Sequence, residues 1–428
     1  MKVLVVGNGG REHALAWKLL QSNKVEQVVC VPGNGGTATL ERCQNLPLAV
    51  DDFEGMSQFA LKNGISLVVV GSEIPLSNGI TDYLQNQGLM VFGPVKAGAQ
   101  IEASKAWAKA LMQEAGVPTA TAAVFTESAA AKSYLQAQGS PIVVKADGLA
   151  AGKGVTVAQT IEQAETAIDV IFQGQFGSAG NFVLIEECLL GQEVSVLALT
   201  DGLTIRPLLP ARDHKRIGEG DTGENTGGMG AYTPTPIATL ELMARVQTEV
   251  LEKTITALRN RGIDYRGVLY AGLMVAPNGD FKVLEFNCRF GDPETQVILP
   301  LLETPLEDLI LACIDQRLGE MPPLAWKEGS AATVVAASGG YPGDYEKGKI
   351  ITGIQKAEAA GAIVFHAGTK LNSAQQIITD GGRVLNITGI GENFQQAITQ
   401  AYTGIKHIQF SGLYYRRDIG HRVLKIET

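Results

Sequence analysis

The sequence predicts an α/β protein that begins with a parallel sheet and continues as α+β units. In the first hundred or so residues, short continuous apolar runs alternate with helical stretches. Beyond that point helices mix with strands that read as antiparallel pairs, and a Pro-Pro step at 322–323 precedes a third stretch of the same mixed kind. We therefore expect three domains, at residues 1–104, 105–326 and 327–428.

Composition limits the classes of protein to which the chain can belong. It has 428 residues, of which 45% are hydrophobic and 18% charged, with a formal net charge of −9. An acidic chain argues against non-specific nucleic-acid binding. The five cysteines are scattered without a C-x-x-C pair, and there is no run of about 18 apolar residues. We expect a cytoplasmic protein with reduced thiols and with neither a nucleic-acid nor a membrane partner.

Four apolar runs predict the strands of the first domain. They are Val3–Val6, Val28–Val31, Leu67–Val70 and Leu89–Phe92, with helices predicted between them at 12–21 and 56–62. Continuous apolar strands that alternate with helices are typical of a parallel sheet covered on both faces. Ligands of such sheets bind at the carboxyl ends of the strands.

The loop after the first strand matches part of a dinucleotide-binding fingerprint. Gly7 and Gly9 fit G-x-G-x-x-G, but Glu12 stands at the third glycine position. The acidic residue expected after the second strand is also missing. Three interpretations remain: a dinucleotide, a small phosphorylated ligand held by backbone N–H groups, and a purely structural turn. We favour the phosphorylated ligand.

The later elements follow from the same criteria. Helices are predicted at 104–115, 161–172, about 239–260 and near 393–403. Strands are predicted at 141–145, 182–187, 267–276, 281–288 and near 332–337, 362–365 and 383–387. The turn Pro277-Asn278-Gly279-Asp280 joins two of these strands into a hairpin.

A strand that carries a lysine runs into a glycine-rich loop at residues 141–155. Lys145 ends the strand, and Gly152, Lys153 and Gly154 close the loop. A Walker A loop has Ser or Thr after its lysine, so this loop is of another kind. Two cations that flank a backbone of small residues suit a polyphosphate. A flexible hairpin with two solvated lysines is the alternative.

The next strand ends in acidic residues. Glu186 and Glu187 close it, and Glu193 follows after a short loop. A backbone edge at this point can recognise adenine, and a carboxylate can accept hydrogen bonds from ribose hydroxyls. The alternative is a solvated strand end.

The strand at 281–288 carries the strongest local signal. Alternation places Val283, Glu285 and Asn287 on one face. A carboxylate and an amide oxygen two residues apart predict a site for a hard divalent cation that bridges phosphates. Arg289 continues the polar series and suits stabilisation of charge on a transferring phosphoryl group. A polar edge strand is the alternative.

The stretch at 213–230 is charged and rich in glycine. It begins Asp213-His214-Lys215-Arg216 and is too polar for a core. Long loops without structure of their own are uncommon unless they are functional. We expect either a segment that covers substrate or a mobile surface loop.

Four motifs together resemble the phosphoribosylamine–glycine ligase family, also called the glycinamide ribonucleotide synthetases, of the ATP-grasp superfamily. They are GNGGREHA at 7–14, KADGLAAGKG at 145–154, NTGGMGA at 225–231 and RFGDPE at 289–294. The resemblance runs the length of the chain. It implies a Rossmann-like amino-terminal domain, a central ATP-grasp domain with a mobile lid at about 122–192, and a small carboxy-terminal α+β domain.

The resemblance also implies a reaction. ATP, glycine and 5-phosphoribosylamine would give N1-(5-phosphoribosyl)glycinamide, ADP and phosphate through glycyl phosphate, in the second step of IMP synthesis. One protein-ligated Mg²⁺ or Mn²⁺ and a monomeric enzyme are expected. Another ATP-grasp carboxylate–amine ligase or a carboxylase is the alternative.

Roles for individual residues follow from the same resemblance. Those expected at ATP are Lys105, Lys145, Gly152, Lys153, Glu186, Glu187, Leu189 and Glu193. The expected metal ligands are Glu285 and Asn287, and the expected catalytic residues are Arg289 and Asp292. Those expected at the other substrates are Gly9, Gly10, Asn34, Glu73, Asp213 and Glu294. Asp213, Glu294 and Asp292 are the candidates for binding the glycine amine.

The sequence departs from the family pattern at three places. Ser72 precedes Glu73 where a proline is expected, and Arg212 stands where glutamine is usual. Leu273 and Met274 occupy a region that carries an additional acid in many ATP-grasp enzymes. For that reason we expect one metal site with protein ligands, and not a two-metal cage.

Overall fold

The fold was determined as a computed structural model that describes residues 1–149 and 154–424. The predicted site residues Gly152 and Lys153 lie outside the described residues. Within the described ranges, no helix is both long and apolar enough to cross a bilayer.

A five-stranded parallel sheet of order β3-β2-β1-β4-β5 forms the amino-terminal part. Its strands are β1 Lys2–Gly7, β2 Gln27–Pro32, β3 Cys43–Asn45, β4 Ile65–Val70 and β5 Val91–Phe92. Its helices are α1 Gly10–Leu19, α2 Phe53–Asn63, α3 Glu73–Asn78, α4 Ile80–Asn86 and α5 Lys96–Ala103. The predicted parallel α/β class is confirmed.

Strand β1 shows why the apolar runs are continuous. Val3 and Val5 pack into one hydrophobic cluster, and Leu4 and Val6 pack into another on the opposite face. All four side chains are fully buried. A strand that is covered on both faces has no solvent side on which polar residues would be favoured.

Two four-stranded sheets organise the central part, with orders β6-β9-β7-β8 and β11-β10-β16-β17. The strands are β6 Ala122–Phe125, β7 Ile142–Ala146, β8 Val155–Ala158, β9 Val183–Glu187, β10 Gln192–Thr200, β11 Ile205–Pro207, β12 Arg212–Asp213, β13 Arg216–Gly218, β14 Thr222–Asn225, β15 Gly230–Thr233, β16 Gly267–Val275 and β17 Phe281–Asn287. The helices are α6 Lys105–Ala115, α7 Ser128–Gln138, α8 Ile161–Phe172, α9 Leu240–Val246, α10 Glu252–Asn260, α11 Thr295–Ile298 and α12 Leu306–Ile314, with a π-helical stretch at Gln247–Leu251 and short 3₁₀ stretches at Gly177–Asn181 and Leu318–Glu320. The first sheet packs with α7 and α8 around a hydrophobic core of its own.

The carboxy-terminal sheet continues into the central part of the chain. Its order is β12-β15-β18-β22-β19. The later elements are β18 Ser330–Ala337, α13 Ile354–Ala359, β19 Ile363–His366, β20 Thr369–Leu371, β21 Ile377–Thr379, β22 Arg383–Gly391, α14 Phe394–Ile405 and α15 His421–Leu424. Because β15 pairs antiparallel with β18, with Gly230 opposite Val334, the third predicted unit shares its sheet with the segment at 212–233. That segment contains four short strands where a loop was predicted.

A bulge in β17 changes the predicted assignment of faces. Val283 pairs with Leu273 and Glu285 pairs with Gly272, so Leu284 is an extra residue between two registers. Val283 packs in the same hydrophobic cluster as Leu273. The prediction that Val283 shares a face with Glu285 is therefore wrong, because one inserted residue shifts the alternation of all residues before it.

Candidate active site

Two lysines lie close to β17 and its neighbouring elements, and each has an N–H group that the described residues do not use. Lys145, on β7, donates from Nζ to the carbonyl of Leu284 at 3.2 Å and lies 2.6 Å from Glu186 Oε2. Lys105, at the start of α6, donates to the carbonyls of Gly148 at 2.8 Å and Asp147 at 3.5 Å. An ammonium has three N–H donors. Within the described ranges each lysine therefore keeps one N–H for a ligand.

A third lysine, which the sequence analysis did not assign, reaches the same place. Lys215 Nζ lies 2.6 Å from Glu193 Oε2 and 3.9 Å from Glu285 Oε1. Desolvation raises the pKa of Glu285, but Lys215, Lys145 and Lys105 outweigh it and hold that pKa below the usual range. Glu285 is therefore an anion among three cations.

The donors on β17 fit a hard divalent cation. The Glu285 side chain is 40% exposed, and Asn287 Oδ1 accepts a hydrogen bond from Arg289 Nη2 at 3.1 Å. The carboxylate oxygens of Glu285 and the amide oxygen of Asn287 are of the kind that Mg²⁺ and Mn²⁺ prefer. In the part of the chain that the structure describes, no cluster of three or more His, Cys, Asp or Glu has the arrangement of a metal site. These ligands therefore suit a cation that takes its other ligands from phosphate and water.

The carboxylate of Glu186 is enclosed between two lysines. It lies 2.6 Å from Lys145 Nζ and 3.0 Å from Lys109 Nζ, and its side chain is 4% exposed. The side chain of Glu186 is thus taken up by two ion pairs, and its backbone lies inside the sheet, opposite Ala122 on β6 and Val143 on β7. Lys109 belongs to no motif that the sequence analysis singled out.

The connection from β9 to β10 is held against the hairpin β16–β17. Glu187 accepts from the backbone N–H of Thr121 at 2.9 Å and pairs with Lys282. Leu189 is half-buried in the connecting loop. A Cβ on Gly191 would lie 2.2 Å from the carbonyl oxygen of Val275, so only glycine permits this approach of two backbones.

Arg289 lies between two carboxylates. Its Nη2 atom is 2.8 Å from Glu102 Oε1, and its Nε atom is 3.3 Å from Glu73 Oε2. Desolvation lowers the pKa of Arg289, but the two carboxylates more than offset this and raise it above the usual range. Glu102 also accepts from the backbone N–H of Cys288 at 2.8 Å. As an isolated acid in α5, Glu102 carried no sequence signal.

The loop after β1 is closed by its own carboxylate. Glu12 Oε2 accepts from the backbone N–H of Gly9 at 2.6 Å, and Glu12 Oε1 accepts from Arg11 Nε at 2.6 Å. A Cβ on Gly7 or on Gly71 would overlap the Glu12 side chain. The third position of the fingerprint is therefore occupied by a charged cap for α1.

Asp292 connects three parts of the chain. It accepts from the backbone N–H of Arg11 at 3.2 Å and from Gln296 Nε2 at 2.8 Å, and it lies 3.3 Å from Arg383 Nη1. Desolvation raises its pKa, but Arg383 and Arg11 hold that pKa below the usual range. The structure thus places this predicted catalytic residue at a junction between parts of the chain.

The predicted substrate residues Asp213 and Glu294 differ in their neighbours: two hydroxyl groups donate to Glu294, whereas charged side chains surround Asp213. Glu294 Oε1 accepts from Tyr270 OH at 2.6 Å and from Ser195 Oγ at 3.1 Å. Desolvation raises the pKa of Asp213 to about 7; Lys215 acts against this rise and Glu294 adds to it. Burial among other acidic groups therefore favours the protonated form of Asp213 relative to a solvent-exposed aspartate.

Asn34 and Gly10 shape the amino-terminal loops. Asn34 Nδ2 donates to the carbonyl of Gly9 at 3.2 Å and to that of His366 at 2.8 Å, while its Oδ1 accepts from two backbone N–H groups. A Cβ on Gly10 would lie 2.4 Å from Asn386 Nδ2. Asn34 thus organises its loop, and Gly10 permits contact with the carboxy-terminal part.

Some of the predicted residues form two neighbouring groups, one of which also includes Lys215. One contains the three lysines with Glu193 and Glu285, and the other contains Glu73, Arg289 and Asp292. Asn287 joins them, because it follows Glu285 on β17 and accepts from Arg289. The arrangement can hold a polyphosphate beside a second anionic ligand.

Comparison with known proteins agrees with this architecture. Three domain models of one family match the chain: phosphoribosylglycinamide synthetase N domain at residues 1–102, ATP-grasp (A) domain at 103–295 and C domain at 331–422. A solved biotin carboxylase domain from Hydrogenobacter thermophilus shares the fold, with 15% identity and a TM-score of 0.71, and covers 97% of this chain and 91% of its own.

Several more similar proteins carry the name of one enzyme. A phosphoribosylamine–glycine ligase from Nostoc sp. is 83% identical over 99% of this chain and 100% of its own. Another, from Synechocystis sp., is 57% identical with the same coverage. The crystal structure of the ligase from Thermotoga maritima is 34% identical, with a TM-score of 0.81, and covers 98% of this chain and 100% of its own. The chain belongs to the phosphoribosylglycinamide synthetase family, whose central domain is an ATP-grasp domain.

Proposed function

We propose that the protein is an ATP-dependent ligase that joins glycine to 5-phosphoribosylamine. The products are N1-(5-phosphoribosyl)glycinamide, ADP and phosphate, and the reaction is the second step of IMP synthesis. The supporting observation is the position of Lys145, whose Nζ contacts the β17 backbone at Leu284, directly before Glu285. A phosphate-binding cation and a metal-binding anion thus meet at one point of one strand.

The first step is transfer of the γ-phosphoryl group of ATP to the glycine carboxylate, which gives glycyl phosphate and ADP. Lys105 and Lys145 bind phosphate oxygens with their remaining N–H groups, and Lys215 adds a third positive charge beside Glu193 and Glu285. Phosphoryl transfer depends mainly on positioning and on neutralisation of charge. These three side chains supply both.

A divalent cation supplies further neutralisation of phosphate charge when it is bound. Glu285 and Asn287 would hold it, as Mg²⁺ or Mn²⁺ at a single site. Leu273 and Met274, on the neighbouring strand, offer no further carboxylate.

The second step is attack of the phosphoribosylamine amine on the acyl carbon, which displaces phosphate. Arg289, which lies between Glu73 and Glu102, is the residue that we assign to this step. We assign Gly9, Gly10 and Glu73 to phosphoribosylamine, and Asn34 holds their loop through hydrogen bonds to the carbonyls of Gly9 and His366. Asp213, Glu294 and Asp292 are the residues that we assign to the glycine amine.

Glycyl phosphate is readily hydrolysed, so the site has to exclude water. The lid that we assign to residues 122–192 contains the sheet β6-β9-β7-β8, which has its own hydrophobic core. Glu187 and Leu189 lie where this unit joins the rest of the central domain. The domain boundaries at 104/105 and 326/327 belong to the same proposal.

The test is an assay of ADP release with ATP, Mg²⁺ and phosphoribosylamine generated in situ, with and without glycine, and with the product identified by mass. We expect glycinamide ribonucleotide only when all three substrates are present. ADP release that ignores glycine, or that follows bicarbonate or another acid, would support a different ATP-grasp ligase or a carboxylase.

Two further properties complete the proposal. We expect a monomer, to be tested by sedimentation or light scattering, and a cytoplasmic location, to be tested by fractionation. The substrates are small molecules.

A further inference from the structure

Lys109 is a buried cation one helical turn beyond Lys105 on α6. Its side chain is 5% exposed. Its Nζ atom has three acceptors: Glu186 Oε1 at 3.0 Å, Thr119 Oγ1 at 2.7 Å and the carbonyl of Ala120 at 3.3 Å. A neutral amine donates only two hydrogen bonds and an ammonium donates three. The geometry therefore fits the charged form, with every donor used inside the protein.

The partner that matters for function is Glu186. Its second oxygen lies 2.6 Å from Lys145 Nζ, so one carboxylate is shared by two lysines. Two positive charges and one negative charge leave a net charge of +1 in this cluster. Without Lys109, the negative charge of Glu186 would cancel the positive charge of Lys145, and the net charge of the cluster would be zero.

The two lysines on α6 differ in their surroundings. Lys105 contacts only backbone carbonyls and keeps a donor within the described ranges. Lys109 points into a closed set of acceptors and, with no N–H to spare, contacts no ligand. Any effect of Lys109 on a nucleotide must therefore pass through Glu186 and Lys145.

We infer that Lys109 is a positioning residue for nucleotide binding, which balances Glu186 and so leaves the charge and one N–H of Lys145 for a phosphate. The inference rests on the proposed function only in that Lys145 binds nucleotide phosphate. It does not depend on which acid or amine the enzyme joins. It also explains why Glu186 can lie beside Lys145 without preventing phosphate binding: the positive charge of Lys109 offsets the negative charge of Glu186.

The experiment measures the Kd of Mg²⁺–ATP by calorimetry for the wild type and for Lys109→Met, Glu186→Gln and the double variant. We expect Lys109→Met to weaken binding by about 10-fold, the size expected for one charge-assisted contact. The double variant restores net charge +1, so its Kd returns toward that of the wild type. Glu186→Gln alone binds at least as tightly as the wild type.

Two controls separate this role from a structural one. Lys132→Met removes an exposed lysine of α7 that pairs with Asp169, and it should leave the Kd unchanged. Thermal unfolding establishes that each variant is folded. In steady state, Lys109→Met should raise the KM for ATP and leave kcat at saturating ATP nearly unchanged, whereas general loss of structure would lower both.

The outcomes are distinct. A Kd for Lys109→Met equal to that of the wild type overturns the inference, as does a double variant that binds more weakly than Lys109→Met. If Lys109→Met does not fold, the comparison of Glu186→Gln with the double variant decides: the double variant should bind ATP more weakly than Glu186→Gln. Failure of the glycine-dependent ligation assay with intact ATP binding would overturn the proposed function and leave this inference standing.

Discussion

Glu12 Oε2 accepts a hydrogen bond from the backbone N–H of Gly9 at 2.6 Å, at the amino-terminal end of helix α1. In dinucleotide-binding sheets this end of the first helix receives a pyrophosphate. Here the protein supplies the negative charge itself and secures it with Arg11 Nε at 2.6 Å. The third position of the dinucleotide fingerprint is therefore filled by the protein's own carboxylate.

Replacement of this carboxylate should destabilise the fold. Glu12→Ala removes the cap of α1 and leaves Arg11, whose side chain is 9% exposed, without its nearest counter-charge. Breaking a buried pair in this way costs about 3 kcal/mol, measurable as a lower free energy of unfolding in urea. Glu54→Ala, at an exposed position in the first turn of α2, is the matched control and should cost less than about 0.5 kcal/mol. Equal losses in the two variants would contradict this account.

Arg289→Lys should lower turnover by at least about 100-fold, as expected when a fixed charge stabiliser is disturbed. The guanidinium reaches Glu73, Glu102 and Asn287 at once, and a lysine ammonium lacks the fork that spans such a set. The measurement is kcat in the glycine-dependent assay. Arg245→Lys, which changes an arginine paired with Glu249 on the surface, is the control. Turnover within a few-fold of the wild type would remove Arg289 from the mechanism.

Glu285→Ala should abolish glycine-dependent ADP release while the protein remains folded. The side chain is 40% exposed and lies 3.9 Å from Lys215 Nζ, so its removal opens no cavity in the core. Kinetic assays over a range of Mg²⁺ concentrations and thermal unfolding test the two halves of this prediction. If ADP release stays near normal, Glu285 is not a metal ligand.

Acidification should weaken the protein through buried histidines, among them His13 and His366. Burial lowers the pKa of His366 to about 4, and burial together with His366 lowers that of His13. In the unfolded chain a histidine has a pKa of about 6.5. As the pH falls from about 6.5 to about 4, the unfolded chain therefore binds protons that the folded chain does not, and His366 alone removes about 3 kcal/mol of stability.

The measurement is the free energy of unfolding in urea at about pH 7 and at about pH 4.5. His366→Gln should show a smaller loss between the two values than the wild type. His407→Gln, at an exposed position, should show the same loss as the wild type. If His366→Gln loses as much as the wild type, then His366 does not carry the pH dependence.

Elements with a strong local pattern were predictable from the sequence. Helix α8 was predicted with its observed bounds at 161–172, and the hairpin β16–β17 was predicted with its turn. Strands β12 and β15 were not, because two to four residues carry no periodic signal and their order depends on pairing with β18. The bulge at Leu284 also had no local signal, because it appears only in the register between two strands.

The residues of the site likewise divide into those that were predictable from the sequence and those that were not. Residues in motifs, such as Lys145 and Glu285, were predictable because their type and spacing indicate phosphate and metal chemistry. Lys109 and Glu102 were not, since each is a single charged residue on a helix whose partner lies far along the chain. The roles given to the motif residues remain predictions that the variants above can test.

The sheet shared by β12, β15 and β18 has a consequence for the order in which the site forms during synthesis. A chain grows from its amino terminus, and its early parts fold first. The segment with Asp213 and Lys215 leaves the ribosome before β18, the strand on which β15 pairs, has been made. The sheet that carries Asp213 is therefore complete only after the residues of β18 have been made.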